Sequence, residues 1–270
     1  MNSDHHFWIG TKHKVCEDYA LSSSQDNLQV AVVCDGCSSS IDTDIGSRLI
    51  ARAALQHIDK IEDPSFGKVV ISAANIQARA LGLPFYSLNV TLLVAVAYDN
   101  KYTARCYGDG AIAIIKKDGT VSVNEYVYPS GAPRYLTYSL DSNMHKAFIE
   151  QFGEKHFINK YDLSFGSIGM ELREEMDDDT DPFTIGICNN IKAIILMSDG
   201  FGSFYQFVDS STSRNMIEIP NREVYEKALG FKGLQGKFVE RRAKKFILDC
   251  EKMGWMNGDD CSMAAINLEN

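Results

Sequence analysis

Residues 28–36 read Leu28-Gln29-Val30-Ala31-Val32-Val33-Cys34-Asp35-Gly36. The first seven form a short run, nearly all apolar and rich in β-branched side chains, which reads as a buried strand. The Asp-Gly that follows delivers a carboxylate at the strand terminus, beside a glycine with no side-chain bulk. Leu196-Met197-Ser198-Asp199-Gly200 is a second apolar strand ending in Asp-Gly. Cys106-Tyr107-Gly108-Asp109-Gly110 sets an aspartate between glycines at a strand–strand turn, Gly258-Asp259-Asp260 comes just before a last strand, and Glu17-Asp18 precedes an early one. Any one Asp-Gly is most often a turn. Acidic groups at the ends of so many strands call for more, because clustered carboxylates repel one another unless cations neutralise them. Oxygen donors of this kind suit hard cations.

Outward from this stretch, apolar residues at Ile45, Leu49, Ala53 and Ile50, Ala54, Ile58 predict a helix over 43–58, with Thr43 or Asp44 as its cap. A second helix over 66–81 is expected to pack through Val69, Val70, Ala73, Ile76 and Ala80. Strand signals follow at 89–98, 102–107, 111–116 and 120–123, with Asp118-Gly119 as a hairpin turn. From about 126 to 181 the pattern weakens; the segment, with Glu174-Glu175 and Asp177-Asp178-Asp179, reads as an irregular, flap-like excursion. Strands return at 183–188 and 192–198. A helix over 237–253 carries Phe238, Val239, Ala243, Phe246, Ile247 and Cys250 on one stripe, with Gly254 past its end, and the last strand spans 261–268. Successive strands joined by tight turns imply antiparallel sheets covered by helices, an α+β layered fold. No Pro/Gly/Ser-rich linker divides the 270 residues, which predicts a single domain over 1–270.

Composition excludes several classes of function. Lys and Arg total 27 against 36 Asp and Glu, a net charge of −9, whereas a nucleic-acid binder shows a basic excess or stripe. The cluster Glu240-Arg241-Arg242-Ala243-Lys244-Lys245 reads as the solvated face of a helix. No apolar run approaches the ~20 residues of a membrane span, and the first residues lack the basic and apolar regions of a signal peptide; the chain is expected to be cytoplasmic, with no membrane or nucleic-acid partner. Seven cysteines, odd in number and irregularly spaced, argue against a disulfide framework. Cys34 and Cys37 have CxxC spacing, but no second pair completes a zinc site.

The ordered pieces Cys16-Glu17-Asp18-Tyr19, Val33-Cys34-Asp35-Gly36, Thr91-Leu92-Leu93, Tyr107-Gly108-Asp109-Gly110, Met197-Ser198-Asp199-Gly200 and Gly258-Asp259-Asp260-Cys261-Ser262 resemble the type 2C metal-dependent protein phosphatases. The resemblance runs from Gly10 to Ile266 and is closest to compact bacterial or phage-type members. It implies a four-layer α-β-β-α sandwich of two antiparallel sheets flanked by helices. It also implies two Mg²⁺ or Mn²⁺ ions with a weaker third. Asp35 would bridge the pair and the Gly36 carbonyl would bind one ion. Asp199 and Asp259 would complete the second, Asp18 would bind through metal-held water, and Asp109 with Asp199 would form the third site. Thr91 would be structural and Asp260 supporting. Asp35, Asp199 and Asp259 would act in catalysis through a metal-activated water.

The implied reaction is hydrolysis of phosphoserine and phosphothreonine in proteins by direct attack of a metal-bridging water, opposing a serine/threonine kinase. Two ions about 3.5–4 Å apart can lower the pKa of such a water and aim it at phosphorus. No Cys-x5-Arg loop is present to form a phosphoenzyme. Two positions depart from the family. His13 stands where an Arg commonly holds substrate phosphate, and its flanking Lys12 and Lys14 make it the candidate phosphate-binding residue. Cys37 stands where many members have His, and is expected to be a dispensable filler. The alternative is a degenerate member that binds a phosphoprotein or partner without turnover; a nucleotidyl-transfer reading of Gly258-Asp259-Asp260 is opposed by the acidic charge.

Overall fold

Along Leu28–Cys34 alternate side chains enter different clusters. Val30, Val32 and Cys34 pack with the helical residues Ile50, Ala54, Phe66 and Val70, whereas Ala31 and Val33 meet Leu93, Ile194, Leu196, Ala264 and Ile266. A strand buried on both faces has no polar side to show, which is why its sequence reads as an unbroken apolar run. The computed structural model describes residues 1–25, 27–153, 155–163, 171–176, 183–209 and 214–269. Its elements in chain order are β1 (Asn2–Trp8), β2 (Tyr19–Gln25), β3 (Leu28–Cys34), α1 (Thr43–Gln56), α2 (Phe66–Ala80), β4 (Leu92–Tyr98), β5 (Lys101–Tyr107), β6 (Gly110–Lys116), β7 (Val121–Val127), α3 (Ser142–Phe152), β8 (His156–Asp162), β9 (Glu171–Met176), β10 (Phe183–Ile187), β11 (Ile191–Met197), β12 (Phe204–Asp209), β13 (Arg214–Glu218), α4 (Asn221–Ala228), α5 (Phe238–Met253), β14 (Trp255–Asn257) and β15 (Cys261–Asn267).

A seven-stranded sheet, β1-β15-β11-β6-β7-β8-β9, faces a five-stranded sheet, β10-β5-β4-β3-β2. The cluster of Ala31, Val33, Leu93, Ile112, Ile194 and Ala264 lies between them. Helices α1 and α2 cover the outer face of the smaller sheet. Helices α4 and α5 cover that of the larger, where Tyr225, Phe238 and Phe246 pack on Ala193, Ile195, Met197 and Met263. The four-layer α-β-β-α sandwich is therefore present. A third, three-stranded sheet, β13-β12-β14, is additional to it.

Several local expectations need correction. The buried face of α2 is Phe66, Val70, Ile71, Ala74 and Ala78, while Ile76 is 71% exposed; the predicted stripe was rotated because apolar residues occupy both flanks of this helix. The residue before α1 is Asp42, in left-handed conformation and without a side-chain cap bond. Thr43, expected as a cap, instead donates its hydroxyl to Glu17 Oε1 at 2.8 Å. The stretch read as irregular contains α3, capped by Asp141, and strands β8 and β9, which extend the large sheet. Asp177, Asp178 and Asp179 lie outside the described residues. Helix α5 starts at Phe238 under a distant cap, Asp4 Oδ2 accepting the Val239 and Glu240 amides at 2.7 and 3.0 Å. It ends at Gly254, whose φ of 72° is the left-handed stop. No helix among the described residues is long and apolar enough to cross a membrane, and all the cysteines are free.

Helix α4 is locked to the large sheet through one buried carboxylate. Glu125 Oε2 accepts from Asn159 Nδ2 at 2.9 Å and the Tyr161 hydroxyl at 2.7 Å; Oε1 accepts from Asn221 Nδ2 and the Tyr225 hydroxyl, each at 2.7 Å. Glu125→Gln keeps the shape but turns one acceptor into a donor, so the charge and the bond from the asparagine facing that atom are lost, while the tyrosine hydroxyl there can turn to accept. Stability to urea is expected to fall by about 2–4 kcal/mol; a change under about 0.5 kcal/mol would mean that this network is not made in solution.

Candidate metal centre

Antiparallel pairing decides where the carboxylates meet. Tyr19 opposes Cys34, so Asp18, just before β2, lies beside Asp35, just after β3. Met197 opposes Ala111 on one side and Met263 on the other. Asp199 after β11, Asp109 before β6 and Asp259 before β15 therefore share one end of the large sheet. Each sheet thus contributes carboxylates to the same edge of the sandwich. Asp109 is held in its turn by Gly108 and Gly110, at φ 93° and 125°, a backbone region that L side chains rarely adopt. Gly36 is fixed by a bridge to Val90, and the Thr91 amide donates to the Asp35 carbonyl at 2.8 Å.

Carboxylate oxygens of Asp35, Asp109 and Asp199 lie within 4.8 Å of one another. Asp18 is wholly buried, and among the described residues Asp18 Oδ1 and Oδ2 and Asp109 Oδ1 have no hydrogen-bond partner. Burial pushes the Asp18 carboxyl up to about 7, opposed by Asp35, Ser198 and Ser262, whose hydroxyl and carboxyl groups lie close enough to favour the charge but outside good hydrogen-bond geometry. Asp35 is pushed well up by burial, then by the charges of Asp18 and Asp199. Asp109 is pushed well up by burial and then by Asp199. Asp199, the most exposed of the four, is still raised, first by burial, with Asp35 opposing and Asp259 and Glu125 adding to it. Orphaned buried oxygens and mutually repelling carboxylates, all hard donors, fit Mg²⁺ or Mn²⁺.

Two of the sequence-predicted residues sit apart from this group. Asp259 Oδ1 faces His13 Nε2 at 3.1 Å, outside the Asp35–Asp109–Asp199 grouping. His13, expected to reach substrate phosphate, turns Nδ1 toward Asp260 and Glu17 at 3.3 and 3.5 Å. The Cys37 thiol lies 3.1 Å from Ser39 Oγ. Beside His13 an open groove of about 490 Å³ is lined by Lys12, Lys14, Val15, Glu17 and Ser38. Sequence reasoning missed Glu17 as a fixed part of the site, although its place next to Asp18 was visible. It also missed Glu125, whose partners are 34 to 100 residues away and leave no local signal.

Carboxylates gathered at one end of both sheets, all hard oxygen donors, make a candidate divalent-cation site on an α-β-β-α sandwich. Residues 10–229 match the family Protein phosphatase 2C, and the chain belongs to that family. Among solved structures, a bacterial serine phosphatase is similar at 14% identity and TM-score 0.57, over 99% of this chain and 98% of that one. The serine/threonine phosphatase Stp1 from Staphylococcus aureus is similar at 13% identity and TM-score 0.55, over 99% of this chain and 95% of that one. The S. agalactiae serine/threonine phosphatase gives 12% identity and TM-score 0.51, over 99% of each chain. No curated protein sequence matches the chain.

The raised carboxyls give the cation-free protein a defined pH dependence. An unfolded Asp releases its proton near pH 3.9, whereas folded Asp18 holds its own until about 7. Between these values the folded state binds the extra proton, so stability falls as pH rises, by at most about 1.4 kcal/mol per pH unit for one such group. In EDTA the melting temperature is expected to drop from about pH 5 to about pH 8, and Mn²⁺ is expected to restore it at the upper end. A flat profile in EDTA would contradict the buried-carboxylate account.

Proposed function

We propose that this chain hydrolyses phosphoserine and phosphothreonine esters in proteins, using Mg²⁺ or Mn²⁺ held by Asp35, the Gly36 carbonyl, Asp199 and Asp259, with Asp18 behind them. The observation that carries the reading is the convergence of Asp18, Asp35, Asp109 and Asp199 at one edge of both sheets, with no cationic side chain paired to any of them among the described residues. A fold with no use for cations gains nothing from gathering such groups.

When bound, the ions supply Lewis acidity that makes water a usable nucleophile and offsets charge on the phosphoryl oxygens. The chain's residues do the rest. Asp35 and Asp199 come from opposite sheets and hold the two halves of the site in fixed relation. Asp109, close to both, supports the weaker third position. Lys12 and Lys14 line the open groove and are placed to receive a substrate dianion. Lys12 is steadied by its ammonium 5.6 Å from the Tyr205 ring centre. Cys37, half-buried and hydrogen-bonded to Ser39, is a weak donor and is assigned no proton-transfer role. The substrate is a phosphoprotein, and the activity opposes that of a serine/threonine kinase in the cytoplasm.

Release of phosphate from a phosphothreonine peptide and from p-nitrophenyl phosphate is expected to require Mn²⁺ or Mg²⁺ and to stop in EDTA. Asp35→Asn and Asp199→Asn are each expected to lower turnover by more than the about hundredfold that loss of a supporting hydrogen bond costs a metal site. Asp109→Asn is expected to lose less. Full activity in excess EDTA would rule out the carboxylate site. Mn²⁺ binding with no phosphate release from any substrate would favour the degenerate member that binds phosphoprotein without turnover.

Cys37→Ala provides a separate check on the proton donor. Alkyl phosphates need acid assistance to the leaving oxygen, whereas aryl phosphates need little. Turnover of both is expected to stay within a few-fold of the parent. Selective loss on the phosphopeptide alone would make the thiol the acid.

A further inference from the structure

The His13 ring lies in a ring of carboxylates, and the members of that ring differ in how firmly they are held. Asp260, with its side chain 1% exposed, is fixed on both oxygens: Oδ1 accepts the Gly10 amide at 2.7 Å and Oδ2 the Glu17 amide at 2.6 Å. Glu17 is fixed as well. Its Oε1 accepts the Thr43 hydroxyl, and its carbonyl accepts the Ser47 hydroxyl at 2.6 Å. These two anchors face Nδ1. On the other edge of the ring, Nε2 meets Asp259 Oδ1 at 3.1 Å. Asp259 is the loose member, with a side chain 43% exposed and one further bond, from the adjacent Asp260 amide to the same Oδ1. Its Oδ2 has no such tie among the described residues.

We infer that His13 is a positioning residue that fixes the Asp259 carboxylate for the cation site, instead of touching substrate phosphate; the inference rests on the reading of Asp259 as a metal ligand. The loop carrying His13 is pressed onto the Asp259 backbone. The Lys12 amide donates to the Gly258 carbonyl at 3.1 Å, and a Cβ at Gly10 would stand 2.2 Å from the Asp259 carbonyl carbon. The loop is thus tied to the Asp259 backbone, and the ring reaches its carboxylate from a fixed direction. A ligand oriented before the cation arrives loses less rotamer freedom on binding, and outer hydrogen bonds of this sort set metal affinity. A phosphate dianion brought to the ring would instead meet Glu17, Asp259 and Asp260, whose charges oppose it.

Mn²⁺ binding, followed by the electron paramagnetic resonance of free Mn²⁺, and steady-state kinetics on a phosphothreonine peptide test this on the full chain. His13→Ala is expected to weaken Mn²⁺ binding by about ten- to a hundredfold, and to leave KM at saturating Mn²⁺ within about twofold of the parent, which is the split a positioning role predicts. His13→Gln keeps a donor toward Asp259 and is expected to recover most of the affinity. In the double variant with Asp259→Asn, His13→Ala is expected to add nothing to the loss caused by Asp259→Asn alone. Where loss of ring volume unfolds the chain by circular dichroism, His13→Phe, which keeps the ring and removes both nitrogens, makes the same test. A raised KM with unchanged Mn²⁺ affinity would overturn the inference in favour of phosphate contact, and an additive double variant would overturn the link to Asp259. A parent chain that binds no Mn²⁺ and releases no phosphate would instead sink the phosphatase reading itself.

Discussion

Antiparallel pairing places the start of one strand beside the end of its neighbour, and in this chain those starts and ends carry aspartates. Asp18 and Asp35 are brought together by the β2–β3 ladder, and Asp109, Asp199 and Asp259 by the ladders from β11 to β6 and β15. The sheets form because their strands bury apolar residues on both faces, a driving force of about 25 cal/mol per Å². That force is indifferent to what sits at the strand ends. The carboxylates are therefore carried together by a core that outweighs their repulsion, which retained protons relieve in part and bound divalent cations would relieve without them.

Two buried carboxylates show how solvation separates structure from function. Glu125 accepts from Asn159, Tyr161, Asn221 and Tyr225, so its charge is met by fixed neutral dipoles and has no need of an ion. Asp18 is as deeply buried, yet both of its oxygens lack a partner among the described residues. The first arrangement fastens α4 to β7 and β8 behind the short turn that carries Asp199. The second leaves a carboxyl that keeps its proton toward neutral pH and whose charge a bound cation would offset. Identical chemistry thus serves rigidity in one place and binding in the other.

Much of this was legible in the sequence because doubly buried strands read as unbroken apolar runs. Leu28–Cys34 is expected with the bounds observed, and Asp35, Asp109 and Asp199, each beside a glycine, come together at one edge. What escaped reading was polar or distant. β1, Asn2–Trp8, is only half-buried along its length and shows no apolar alternation, while β8 and β9 lie at the sheet's polar edge. The stripe on α2 was misphased because Ile76 is apolar yet faces solvent. The contacts of His13 were equally hidden, because the Asp259 and Asp260 that face its ring are about 250 residues away in sequence. A pairing closed by β1 against β15 leaves no trace in local spacing.

A histidine at position 13 differs from an arginine in what it can hold fast. A guanidinium is long and presents a planar fork that can grip a phosphate through two parallel bonds. The ring of His13 is short, and its two nitrogens already face carboxylates held by the protein. Under the proposed function, recognition of the phosphate would then fall to the bound ions and to Lys12 and Lys14 in the groove, which act as point charges without a fixed fork. Such a pair of charges would attract a dianion strongly and orient it weakly, leaving discrimination among phosphoproteins to the surface around the groove. The β12–β13 hairpin is close at hand for this: Tyr205 meets Thr11 at 3.2 Å and underlies Lys12, while Phe207, Met216 and Ile217 stand exposed beyond it. Under that reading, orientation lost at the phosphate would be recovered only where a substrate chain extends across that hairpin.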